Sequence, residues 1–174
     1  MTEAFKSGFL LKCAELGFDG SSLLKESQTN EFESVGATET GSSNNQYADV
    51  LTPEFFQALG QQESGNNDAA VNTNENAVGR YQIRQGYLDD ANAFGGTDYT
   101  LEDMHNPTNA ERVVSAYLAR WAPRYTRRTG NPITQEVAAR IHNGGYAGAE
   151  RPSTTNYWNS VSNILSGITG FDAD

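Results

Sequence analysis

Glu63 is the residue around which chemistry can be built. It closes an amphipathic stretch carrying Phe55, Phe56, Ala58 and Leu59, and it is followed by Ser64-Gly65 and five asparagines between Asn66 and Asn76. A carboxyl group between an apolar helix and a polar loop loses solvation, which disfavours its charged form and raises its pKa. A carboxylic acid protonated near neutral pH is what protonation of a glycosidic oxygen requires. The ordinary alternative is a solvated carboxylate at a helix end. Two later clusters supply complementary groups. Gly79-Arg80-Tyr81-Gln82-Ile83 alternates aromatic, amide and aliphatic side chains, and Ala139-Arg140-Ile141-His142-Asn143-Gly144-Gly145 ends a helix with His, Asn and two glycines. Asn and Gln amides pair a donor with an acceptor, as sugar hydroxyls and N-acetyl groups demand. Tyr81, Tyr157 and Trp158 have flat faces on which a sugar ring can stack, or they belong to the core.

The elements that must position these groups are mainly helical. Thr52-Pro53 reads as an N-cap with Pro at the first helical position, and Gly65 as the stop. Further helices are expected over about 84–94, 110–121 and 134–142, and from about Thr155 onward, where Tyr157, Trp158, Val161, Ile164 and Leu165 recur. Alternating segments are scarce, at most a small hairpin over 71–76 and 78–83. Upstream, Phe5, Phe9, Leu10, Cys13 and Leu16 recur at helical spacing. Residues 1–25 thus read as an amphipathic helical hairpin, either docked on the main domain or tethering it to a larger assembly. Residues 26–50 are polar and acidic and read as a linker, because such a segment cannot offset its ordering entropy. The expected organisation is hairpin 1–25, linker 26–50, globular domain 51–167 and tail 168–174.

The composition narrows the class. The chain has 174 residues, 12 Lys+Arg against 22 Asp+Glu, a formal net charge of −10 and one cysteine. An acidic chain is a poor nucleic-acid binder. No run reaches the length of a membrane span, and no signal-peptide pattern opens the sequence. One cysteine excludes an intramolecular disulfide framework and a multi-cysteine metal site. With His105 the only other histidine, His142 is not expected to ligate zinc, and neither cofactor nor metal is implied. All nine basic residues after residue 50 are arginines, five of them between Arg112 and Arg128. That stretch is a solvated helix face or a contact surface for an anionic polymer.

Glu63-Ser64-Gly65, a polar loop, GRYQI at 79–83 and HNGG at 142–145 together resemble the lysozyme-like superfamily of peptidoglycan glycosidases. Phage and bacterial soluble-lytic-transglycosylase domains share the opening Glu-Ser and the Gln-Ile segment. The run YQIRQGYLDD at 81–90, ARIHNGG at 139–145 and STTNYW at 153–158 is similar to invertebrate-type (destabilase) lysozymes and their cysteine-free relatives. The resemblance implies an α+β lysozyme-like fold and cleavage of the β-1,4 bond between N-acetylmuramic acid and N-acetylglucosamine. Glu63 would be the acid, and Ser64, Tyr81, Gln82, His142, Asn143 and Tyr157 would contact the carboxylate or the glycan. Invertebrate lysozymes pair that Glu with an Asp about a dozen residues on. Here the slot falls near Asn72 and Thr73, which leaves Glu75, or else Asp68, as the candidate second carboxylate, while Asp90 reads as structural. Ser64 bonds the Glu63 carboxylate or simply caps its turn. The implied partner is the glycan strand, with a virion or assembly partner for residues 1–25 and action on the wall from a virion or the host envelope. The competing class is a non-catalytic virion or envelope protein that uses the fold only to bind peptidoglycan.

Overall fold

The structure, a computed structural model, describes Tyr47 and residues 49–170. The expected hairpin over 1–25, Cys13 and most of the expected linker lie outside the described residues. Five α-helices carry the fold: α1 Pro53–Ser64, α2 Gln85–Gly95, α3 Pro107–Thr129, α4 Gln135–Gly144 and α5 Thr155–Thr169. Two short antiparallel strands, β1 Val71–Asn72 and β2 Ala77–Val78, pair in the register Val71↔Val78 and Asn72↔Ala77. This is the mainly α, lysozyme-like architecture with one small hairpin that the sequence implies.

The helices start and stop where local chemistry says they should. Thr52 caps α1 by accepting the Phe55 N–H at 3.2 Å, and Thr134 caps α4 by accepting the Val137 N–H at 3.3 Å. Asn106 caps α3 by accepting the Asn109 N–H at 3.2 Å, and Pro107 follows it at the first helical position. Helix α3 runs eight residues beyond the expected end at 121, because Ala122 and Tyr125 continue its buried face and Gly130 supplies the left-handed stop. Helix α5 also passes the expected domain end at 167.

One core joins these elements. Phe55, Ala58 and Leu59 of α1, Leu88 of α2, Val113 and Val114 of α3, Ile141 of α4 and Val161 of α5 are all fully buried. Helix α1 packs on α5, α2 on α3, and α4 on both α3 and α5. Tyr47 and Val50 are buried in the same core, so the expected linker boundary at residue 50 is corrected: the folded unit includes at least Tyr47. Their apolar side chains distinguish them from the polar run before them.

Two glycines fix how loops lie on helices. Gly79 has φ of +75°, and a Cβ there would sit 2.2 Å from the Met104 carbonyl oxygen. Gly148 brings the loop after α4 so close that a Cβ would lie 1.9 Å from the Arg140 carbonyl oxygen. Arg140 then donates to the Thr154 hydroxyl at 2.9 Å, and that hydroxyl donates to the Gly148 carbonyl at 2.7 Å. This pins the start of α5 against α4. Replacing Gly79 with Ala combines left-handed strain with a backbone clash. It should cost more than about 2 kcal/mol in urea unfolding, whereas Gly86→Ala, with open space around it, should cost far less.

Candidate active site

Glu63 sits in the last turn of α1, which Gly65 terminates at φ +68°. Its side chain is only 18 % exposed and opens on a cleft of about 500 Å³. The cleft is lined by Glu63, Asn72, Glu75, Tyr81, Gln82, Arg84, Gly86, Tyr87, Asp90, Tyr117, His142, Asn143 and Gly145. Packing of α5 on α1 brings the Tyr157 hydroxyl to Glu63, where it donates to Oε1 at 2.6 Å. Packing of α4 brings His142 Nε2 to 3.6 Å from the same oxygen, a charge contact rather than a short hydrogen bond. On its other side the imidazole Nδ1 lies 3.0 Å from the Tyr87 hydroxyl. A carboxylate facing Nε2 calls for the proton on that nitrogen, so in the neutral ring Nδ1 accepts from Tyr87. Tyr87 is itself stacked on Tyr117, with ring centroids 3.6 Å apart at 14°.

The electrostatics differ from the expectation of a raised pKa. Burial pushes the Glu63 carboxyl up, but His142, the Tyr157 O–H and the more distant Arg84 outweigh burial and hold it below the usual carboxylate value. Burial and the neighbouring Glu63 charge push the Tyr157 hydroxyl far above its ordinary range, so it stays a donor. Burial does the same for Tyr87. Glu63 is therefore an anion held by two partners.

The other expected residues divide. Gln82, with φ of +48°, lines the cleft and anchors itself by donating to the Gly79 carbonyl at 3.0 Å. Asn143 lines the cleft and is exposed. Glu75 lines it too, paired with Arg84. Asp68 is bound in a fork by Arg80 at 2.7 and 3.2 Å and is not among the lining residues. Asn72 does line the cleft, and its Oδ1 accepts the Asn74 N–H at 3.2 Å, shaping the hairpin turn. Ser64 takes the turn-capping alternative: its hydroxyl donates to the Arg80 carbonyl at 2.9 Å and accepts the Asn67 N–H at 3.0 Å. Tyr81 borders the cleft, but its ring is turned inward. Its ring is 1 % exposed, lies edge-on to Phe56 and donates its hydroxyl to Glu111 at 3.0 Å, because the alternation in GRYQI aims it into the core. Tyr157 is not a lining residue; it binds Glu63 instead of presenting a platform. Trp158 packs against the core.

Tyr87, Arg84, Asp90 and Tyr117 were not expected as site residues. The first three lie inside the YQIRQGYLDD run, so that run carried a signal for them; nothing marks Tyr117 but its place on a helix face. Among the described residues no group of three or more His, Cys, Asp or Glu side chains could hold a metal ion, and no helix is long and apolar enough to cross a membrane.

The sequence matches the Destabilase family over residues 52–164. It is 38 % identical over 88 residues to Lysozyme 1 of Crassostrea virginica, covering 51 % of this chain and 45 % of that protein. It is 35 % identical over 87 residues to a lysozyme of Ostrea edulis, covering 50 % and 59 %. The matches thus span about half the length of these curated relatives. The structure is similar to the crystal structure of an inhibitor-bound lysozyme from Meretrix lusoria, with a TM-score of 0.56 and 27 % identity over 71 % of this chain and 97 % of the other.

The charge balance at Glu63 can be titrated directly by carbon-detected NMR of labelled glutamate. Replacing His142 with Gln should move the Glu63 midpoint upward, and Tyr157→Phe should move it upward by less, following the order of their contributions. Because the folded value lies below the unfolded one, ionised Glu63 stabilises the fold above that range, and the contribution is lost as pH falls through the folded value. Both variants should therefore show a shallower loss of stability on acidification.

Proposed function

The chain belongs to the Destabilase family, and from that premise we propose that it is a peptidoglycan glycosidase cleaving the β-1,4 bond between N-acetylmuramic acid and N-acetylglucosamine. The observation that carries this reading is Glu63, held at the cleft by Tyr157 and His142. A glycan filling the cleft displaces water, removes solvation from the anion and moves its proton affinity upward. Glu63 then protonates the leaving oxygen as the glycosidic bond breaks. The hydroxyl of Tyr157 keeps Oε1 in place, so the proton is delivered from the opposite oxygen. Gln82 and Asn143 are assigned to the glycan, since both line the cleft with amide groups.

Glu75 is our choice for the second carboxylate. It shares the cleft with Glu63 and pairs with Arg84, and its carboxylate would activate the attacking water. Asn72, by contrast, stands in the cleft with a neutral side chain. Hydrolysis with this pair releases a reducing sugar. A 1,6-anhydro product would assign the chemistry to Glu63 and the substrate's own N-acetyl group, and would remove Glu75 from the mechanism.

Delivery to the wall by a virion or envelope partner bound through residues 1–25 is part of the same proposal, supported by the chain's acidity, which gives little long-range attraction to an anionic wall. A truncation lacking 1–45 keeps Tyr47 and should retain activity while losing particle incorporation. Loss of general acid catalysis typically costs a factor of about 10²–10⁴, so Glu63→Gln should abolish clearing in a peptidoglycan zymogram. Equal clearing by both proteins would overturn the Glu63 mechanism, whereas no clearing by the native protein would favour the non-catalytic wall-binding reading. Mass spectrometry of the digest then reads the product.

A further inference from the structure

Past the cleft wall formed by Tyr117 and Gly145 lies a ledge of aromatic rings and guanidinium groups that the proposed chemistry does not use. Its centre is Trp121 of α3, 9 % exposed, whose indole N–H is buried without a hydrogen-bond partner. The ring is therefore held by its faces and edges. Tyr117 meets it edge-on with centroids 6.3 Å apart, and Tyr146 lies 5.5 Å away at 38°. The guanidinium carbons of Arg120 and Arg124 sit 4.9 and 4.4 Å from its centroid.

The two arginines differ in charge balance. Arg120 donates to the Asp90 carbonyl at 2.9 Å and faces the Asp90 carboxylate at 3.5 Å, so its charge is answered within the fold. Arg124 is exposed, and among the described residues no carboxylate pairs with it. A guanidinium resting on an indole keeps a planar set of N–H donors available for a carboxylate. Tyr146, directly after the cleft-lining Gly145, is 53 % exposed, one of only two large apolar side chains so exposed among the described residues. An exposed ring and an unanswered cation thus share one support, continuous with the cleft, in a chain whose net charge is −10.

We propose that Tyr146 and Arg124 form a binding subsite for a peptide-bearing muramyl unit of the glycan strand. Tyr146 stacks on the sugar, and Arg124 pairs with a free carboxylate of the attached peptide. The proposal rests on the glycosidase reading and names what that site selects: strands that still carry acidic stem peptides. An anionic phosphate polymer of the wall would offer Arg124 a similar charge, so the test uses strands freed of such polymers.

Three substrates separate the contributions: purified strands with free stem carboxylates, the same strands with those carboxylates amidated, and chitohexaose. A partly exposed charge-assisted contact should be worth about a factor of ten in KM. Arg124→Gln should therefore raise KM about that much on the free-carboxylate strands, leave kcat unchanged, and match the unmodified protein on amidated strands and chitohexaose. Tyr146→Ala should raise KM on all three. An unaltered KM for Arg124→Gln on free-carboxylate strands, or an equal rise on amidated ones, overturns the proposal. So does an effect that appears only when phosphate polymers are left on the wall. Equilibrium binding of the same strands, measured in the Glu63→Gln background, keeps the two readings apart. Carboxylate-dependent binding that Arg124→Gln removes, in a protein whose native form turns over none of the three substrates, would uphold the subsite and overturn the glycosidase reading.

Discussion

A carboxylate 18 % exposed at the end of a helix has to be answered by other charges or donors, and the arrangement of this fold follows from how Glu63 is answered. Removing an ion from water costs several kcal/mol unless partners replace the lost solvation. Here the partners come from two other helices: His142 on α4 and Tyr157 on α5. Each is secured in turn. Tyr87 and its stack on Tyr117 set the imidazole, and the Arg140–Thr154–Gly148 cluster sets where α5 begins. A shift of α5 relative to α1 would withdraw the hydroxyl and leave the carboxylate with His142 alone. The packing of the helices and the protonation of the site are therefore the same constraint viewed at two scales.

Much of this is written locally. The caps at Thr52 and Thr134 and the proline at the start of α1 concern neighbours within four residues, and the helices appear where those signals stand. Glu63 was recognisable because it joins an apolar helix to an asparagine-rich turn. What surrounds it was not, since Tyr157 reaches it across 94 positions of sequence. An aromatic at helical spacing reads equally as core or as platform, and only the contact of α5 with α1 makes it a hydrogen-bond donor to a carboxylate. Tyr81 shows how little of a side chain's orientation a motif carries. It borders the cleft, as its neighbours in GRYQI suggest, yet the Val78↔Ile83 bridge and the turn at Gln82 leave its ring packed against Phe56. The direction of the Glu63 pKa shift was missed for the same reason: burial is visible from apolar sequence, while an imidazole and a hydroxyl arriving from distant helices are not.

The acidity of the chain acquires a more local meaning. Two of the five arginines between 112 and 128 are engaged by carboxylates, Arg120 by Asp90 and Arg128 by Glu150. The stretch is thus in part a helix face laced by ion pairs, while Arg124 rests on Trp121 with no carboxylate partner among the described residues. A net charge of −10 weakens capture by an anionic wall at distances beyond a Debye length of roughly 10 Å. It does not weaken a cation placed within contact range of bound glycan. Affinity for the wall would then be decided at the cleft and its margin rather than by the field of the whole molecule.

In the proposed reaction Glu63 is an anion in the free protein and becomes an acid when glycan displaces water. The most direct measurement is the carbon-detected NMR titration of Glu63 in the native protein, free and saturated with a thio-linked, non-cleavable glycan. The expected midpoint lies below the ordinary carboxylate value in the free protein and moves clearly upward in the complex. A midpoint that stays put or falls when the glycan binds would contradict it.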